Sequence, residues 1–166
     1  RAGEWFKDVR SLIAPCVPWS PGAEWWNSEV VASARASISN PDVYAIMMTG
    51  RRDNGDMRFR IAELLESAGL NFDEVHLKPS GDTALFKLSM MKKILSRHRN
   101  ITNVAIWDDR VHHLEMFRDS LSSMGLNVGV TPVSEPPHPI QCGEEEYYSI
   151  GPADMLCGLN FTLSIM

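Results

Sequence analysis

A regular alternation of short strand-like runs with stretches of helical spacing constrains this chain more than any other feature. Residues 43–48, Val-Tyr-Ala-Ile-Met-Met, are apolar without a break. A strand with no polar alternation is buried on both faces, as in a parallel sheet covered by helices. The run stops at Thr49-Gly50-Arg51-Arg52-Asp53. Over 57–68, Met57, Ile61, Leu64, Leu65 and Ala68 recur at helical spacing, and Gly69 is placed to end that helix. Residues 72–77, 103–107 and 126–133 read as further strands. Residues 84–98, capped by Thr83, and 111–124, ended by Gly125, read as helices. This order predicts an α/β fold, a three-layer sandwich around a parallel, Rossmann-like sheet.

The flanks have a different character. Pro15, Pro18 and Pro21 punctuate an extended, loop-like segment over 1–24, and Trp25-Trp26 open a helix running toward Ser39. The folded core is expected over 25–133. Residues 134–166 read as a tail rich in Pro and Glu, with a closing strand over 159–166.

With 166 residues, 44% hydrophobic and 22% charged, the chain is long enough to bury a core of its own. A net charge of −5 gives no chain-wide basic stripe of the kind that marks a nucleic-acid surface. Cys16, Cys142 and Cys157 are odd in number and widely spaced, which argues against a disulfide framework and for a reducing, intracellular setting. No apolar stretch reaches the 18 residues of a spanning helix, so no membrane partner is expected. The sequence starts at Arg1 rather than a methionine, which suggests that something precedes it.

Ligands of open α/β sheets bind beyond the carboxyl ends of the strands, so the polar residues just after the apolar runs carry the functional interest. Thr49 and Gly50 offer a hydroxyl and a small loop ahead of a helix, and Arg51 and Arg52 offer bidentate donors; together they suit a phosphate, although a small loop here is often only a loop. Lys87 sits in the first turn of a helix, where a cation opposes the dipole, so it reads either as a local demand for positive charge or as a solvent-facing lysine. Lys78, at a strand end, is its rival. Asp108 and Asp109 read equally as a Mg²⁺-binding pair or as a helix cap with a first-turn acid. Of His112 and His113, one is expected exposed and one half-buried.

The order of these points resembles motifs II, III and IV of the haloacid-dehalogenase-like (HAD) superfamily. Trp25-Trp26-Asn27, Met48-Thr49-Gly50-Arg51, residues 69–79, Phe86-Lys87, and Trp107-Asp108-Asp109-Arg110 with His113 are similar to the HAD domain of Swiss Army Knife RNA repair-like proteins, over roughly residues 12–125. The resemblance implies a Mg²⁺-dependent phosphatase with a phosphorylated substrate, nucleic-acid ends included. Thr49 would hold the phosphoryl group, Lys87 would stabilise a phosphorylated aspartate, and Asp108 and Asp109 would hold the metal. Gly50, Arg51, Arg52 and Arg110 would bind substrate. One departure stands out. The superfamily opens with a nucleophile strand ending in Asp-x-Asp-x-Thr, and none precedes Thr49 here. The chain reads as beginning just downstream of that missing N-terminal strand. It is expected to be inactive as it stands, or else a pseudoenzyme scaffold whose open sheet position is covered by a protein partner or by the tail.

Overall fold

A computed structural model describes residues 7–134 and the backbone of a strand at 162–165. Among the described residues four α-helices and five strands are formed: α1 (Ser28–Ile38), β1 (Tyr44–Arg52), α2 (Gly55–Ser67), β2 (Glu74–Lys78), α3 (Thr83–Arg97), β3 (Asn103–Asp108), α4 (Val111–Ser122), β4 (Asn127–Pro132) and β5 (Thr162–Ile165). The expected strand–helix alternation between 43 and 133 is present. Most helix starts follow from short polar side chains that accept backbone N–H groups left open in the first turn. Asn27 accepts from Val30, Asn54 from Met57 and Asp82 from Leu85. Thr83 is therefore the first residue of α3 rather than its cap, and α1 begins after Trp25-Trp26 rather than at them. Gly69 and Gly125, with φ of 66° and 83°, follow α2 and α4 in the left-handed conformation that glycine adopts without strain.

The sheet has the order β2-β1-β5-β3-β4. β1 with β2 and β3 with β4 are parallel, as the apolar runs implied. The sheet as a whole is mixed, because β5 lies antiparallel between β1 and β3. It pairs with Tyr44 and Ala45 of β1 and with Val104, Ala105 and Ile106 of β3. Among the described residues its pairs stop there, short of the strand ends that carry Thr49 and Asp108. The remainder of the expected tail, 135–161, lies outside the described residues.

Side-chain alternation along β1 divides the core in two. Met47 enters a cluster with Val30 and Val31 of α1, Met57, Ile61 and Leu64 of α2, and Leu12, Val17 and Trp26. Ile46 and Met48 enter another, with Met91 and Ile94 of α3, Leu114, Phe117 and Leu121 of α4, and Ile106 of β3.

The N-terminal segment is less extended than its prolines suggested. It contains a 3-10 helix, Val9–Leu12, and another, Ala23–Trp25. Two buried arginines hold the segment down. Arg51 Nη1 donates to Ser11 Oγ at 2.8 Å. Arg60, 2% exposed, donates from Nε to the Leu12 carbonyl at 2.8 Å, from Nη2 to Pro18 at 2.7 Å and from Nη1 to Trp19 at 3.0 Å. Its guanidinium also lies 5.0 Å from the centre of the Trp19 ring. Cys16, in the same segment, is disulfide-bonded, against the expectation of free thiols.

Charged hydrogen bonds contribute about 1.5–3 kcal/mol each, and carbonyls left buried without donors cost more still. Arg60→Met is expected to lower the unfolding free energy by about 3 kcal/mol in a denaturant titration, with Arg60→Lys recovering little because an ammonium lacks the planar fork. A loss under about 0.5 kcal/mol would show that these contacts are already solvated.

Candidate active site

β3 ends on Asp108, which is fully buried. Where a strand turns directly into a helix, an aspartate can accept the N–H two residues on. Asp108 Oδ1 accepts from Arg110 N at 2.9 Å. Oδ2 accepts from Lys87 Nζ at 2.7 Å, and His113 Nδ1 stands 3.4 Å from Oδ1 without hydrogen-bond alignment. Lys87 and His113 are 1% and 4% exposed. Lys87 therefore does not face solvent; its counter-ion is Asp108.

Opposing effects act on this carboxyl. Burial, the largest single one, favours the neutral acid; the neighbouring His113, the Lys87 ammonium and the Arg110 N–H favour the anion. The favourable contacts win together, and Asp108 is held well below the ordinary carboxylate range. At an effective dielectric of about 20, unit charges about 4 Å apart attract by about 4 kcal/mol. Desolvation costs several kcal/mol per ion, so the intact pair is near break-even while a half-pair is costly.

Thr49 approaches from β1. The sequence suggested that the strand stops before it, but β1 continues to Arg52, because Thr49 pairs with Leu77 and Arg52 with Lys78. The register slips between those pairs. An irregularity of this sort redirects side chains near functional sites. Thr49 is fully buried, and its Oγ1 accepts from Arg51 N at 3.2 Å. A Cβ on Gly50 would lie 2.8 Å from Thr83 Cγ2, so only glycine lets β1 come this close to the start of α3. Gly50 thus abuts Thr83, one helical turn ahead of Lys87, and Lys87 in turn meets Asp108.

The other expected site residues are more dispersed. Asp109 is half-buried and Arg110 exposed, each beside Asp108 in sequence. Arg52 is exposed and lines an open pocket of about 600 Å³ with Lys7, Asp8, Val9, Asn54, Gly55 and Asp56. Arg51 was expected to meet substrate, but it is 1% exposed and turned toward Ser11. A buried arginine beside an exposed one is invisible to composition; in β1 the two point to opposite sides of the strand. Lys78, the rival to Lys87, is also buried, with Nζ 2.9 Å from Thr83 Oγ1. Thr83 and Ser11 went unnoticed in the sequence as anything beyond a cap and a loop residue. Among the described residues no three His, Cys, Asp or Glu side chains are grouped to hold a metal.

Breaking the buried pair from one side is expected to cost about 3–5 kcal/mol, and replacing both partners by apolar residues much less. Lys87→Met and Asp108→Leu should each be strongly destabilising in denaturant, and the double variant clearly more stable than either; additive losses would contradict a true pair. The depressed carboxyl also has a pH signature. Its stabilisation is fully present above the unfolded aspartate pKa of about 3.9 and is lost as pH falls toward the folded value. The stability gap between wild type and Asp108→Asn should be flat above about pH 5 and shrink steadily toward pH 2. A gap unchanged over that range would contradict the assignment.

The family model described as HAD domain family 1 in Swiss Army Knife RNA repair proteins matches residues 1–147. The uncharacterized protein YMR265C of Saccharomyces cerevisiae is 27% identical over 113 residues, covering 61% of this chain and 24% of the yeast protein. The chain thus spans about a quarter of that relative's length. No solved structure matches. With nearly its whole length matched by the family model, the chain belongs to the HAD domain family of Swiss Army Knife RNA repair proteins.

Proposed function

We propose that this domain is the phosphoryl-binding part of a Mg²⁺-dependent phosphohydrolase acting on phosphorylated nucleic-acid ends, built on the three-layer HAD architecture. The observation that supports the reading is the buried Lys87–Asp108 pair, with Gly50 set against Thr83 one helical turn ahead of Lys87. A fully buried lysine and aspartate have little value as a stability device. They have clear value as a preorganised charge array for a phosphoryl group, whose transfer depends mainly on positioning and neutralisation.

In this reading Thr49 donates its hydroxyl to a phosphoryl oxygen. Lys87 offsets developing negative charge, its ammonium oriented by Asp108. Asp108 and Asp109 would hold Mg²⁺. Two carboxylates fit an ion that needs hard oxygen ligands and completes its shell with water and substrate phosphate. Bound there, it would supply further charge neutralisation. Gly50 lets β1 approach the start of α3 at Thr83, and Arg52 and Arg110, both exposed, are the arginines proposed to meet substrate. Arg51 receives no substrate contact and acts by holding Ser11. No Asp-x-Asp-x-Thr nucleophile is present in the 166 residues, so these residues bind and neutralise without turnover. A pseudoenzyme or scaffolding reading rests on one observation: the position between β1 and β3 is taken by an antiparallel strand, β5.

Inorganic phosphate with Mg²⁺ at about ten times its dissociation constant is expected to stabilise the 166-residue chain by about 1.4 kcal/mol, raising its melting temperature by about 3 °C. Thr49→Val and Asp108→Asn should each remove the shift. No phosphate release from an aryl phosphate is expected from this chain. A purely scaffolding domain would show no phosphate-dependent shift at all.

A further inference from the structure

Among the described residues the two most exposed large hydrophobic side chains are both aromatic, Phe59 at 67% and Trp19 at 63%. Neither takes part in the phosphoryl site proposed above. The indole of Trp19 is nonetheless held in place. Arg60 Nη1 donates to the Trp19 carbonyl at 3.0 Å, and the Arg60 guanidinium lies over the ring, 5.0 Å from its centre. One face of a fixed ring is thus covered by a buried cation, while most of the side chain stays in solvent. Phe59 precedes Arg60 on α2 and faces away from the buried Ile61, Leu64 and Leu65.

Both rings continue a line that starts beside Thr49. Arg52 closes β1 three residues past Thr49, about 10 Å along a strand that rises about 3.3 Å per residue. It lines the open pocket of about 600 Å³ together with Lys7, Asp8, Asn54 and Asp56. Asp56, Phe59, Arg60 and Glu63 follow at i, i+3, i+4 and i+7 spacing, so they lie along one side of α2. Glu63 Oε2 meets Arg60 Nη1 at 3.3 Å, and the same nitrogen holds the Trp19 carbonyl. A continuous path therefore runs from the end of β1, through the pocket, and one helical turn along α2 to Phe59 and Trp19. The pocket is not a basic one. Lys7 and Arg52 are matched in it by Asp8 and Asp56, and Asp8 is bound by Arg10 at 2.6 Å. In a chain of net charge −5, a polyanion gains little here beyond a single phosphate contact. Exposed aromatic faces supply what charge does not, because every base has a π-face that stacks on such rings.

We propose that Phe59 and Trp19, with Arg52, form a track for the single-stranded part of a nucleic-acid substrate whose terminal phosphate is held at Thr49. Bases stack on the two rings, and Arg52 takes one phosphate between them and the end of the strand. Ring and arginine alternate along the track as base and phosphate alternate along a strand, and paired bases of a duplex are closed to such stacking. Phe59 and Trp19 are thereby specificity-determining residues rather than catalytic ones. The track rests on the reading of Thr49, Lys87 and Asp108 as a phosphoryl site.

Fluorescence anisotropy of a fluorescein-labelled RNA hexanucleotide with a terminal phosphate, titrated with the full chain, tests the track. Phe59→Ala and Trp19→Ala should each weaken binding about tenfold, as the loss of one stacked base does. Phe59→Tyr and Trp19→Phe should restore most of it. Arg52→Gln should lower the slope of log affinity against log salt by about 0.7, one phosphate contact on a single strand, and the two alanine variants should leave that slope unchanged. A hexanucleotide of the same charge with abasic sites in place of its bases should bind wild type about tenfold or more weakly and be insensitive to Phe59→Ala. The melting temperature of each variant separates a lost contact from a lost fold. Stabilisation by inorganic phosphate with Mg²⁺ should be unchanged in Phe59→Ala. Hexanucleotide binding by either alanine variant within twofold of wild type, equal binding of the abasic strand, or no binding by wild type while phosphate still stabilises it, overturns the track. No stabilisation of wild type by phosphate overturns the phosphoryl-site reading instead.

Discussion

The contact between Lys87 Nζ and Asp108 Oδ2, 2.7 Å long and sealed from solvent, is the constraint around which the rest of the structure is arranged. Neither charge is tolerable at that depth alone. The pair ties the first turns of α3 to the end of β3, and so fixes how the helices on that face meet the sheet. Asp108 takes the Arg110 N–H as well, so the same carboxyl that anchors α3 also shapes the start of α4. His113, one turn into α4, closes the remaining side of the group. Substituting either ion changes three elements at once, which is why its cost should exceed that of one hydrogen bond.

A great deal of this was legible in the amino-acid order. The unbroken apolar run at 43–48 announced a strand covered on both faces, and Met47 against Ile46 and Met48 does divide two cores. The polar residues after each run marked the rim where Lys87 and Asp108 meet. Other features were not legible, for physical reasons. β1 continues four residues past its apolar run because ladder pairing with β2, not side-chain hydrophobicity, defines a strand's end. Arg51 and Arg60 are buried because their guanidinium donors find carbonyl and hydroxyl acceptors 40 to 48 residues away in sequence, which no local pattern encodes.

The position of β5 bears on the proposed site. In a doubly wound sheet the ligand sits where the strand order reverses, and here that point lies between β1 and β3. β5 fills the opening halves of that gap and pairs no further than Ala45 and Ile106 among the described residues. β5 thereby covers the facing sides of β1 and β3, and its pairs reach neither Thr49 nor Asp108. The HAD family assignment and the absence of an Asp-x-Asp-x-Thr segment in these 166 residues then fit together. In the proposed reading these residues supply the binding half of the chemistry, with no nucleophile among them.

Backbone amide chemical-shift mapping with inorganic phosphate is the most direct test of a single phosphoryl site formed by Thr49, Lys87 and Asp108. In the isotopically labelled chain, the amides of Gly50, Thr83, Lys87 and Asp109, drawn from three separate elements, should shift together along one saturable curve. Shifts confined to one of those elements, or following separate curves, would mean that no common pocket exists.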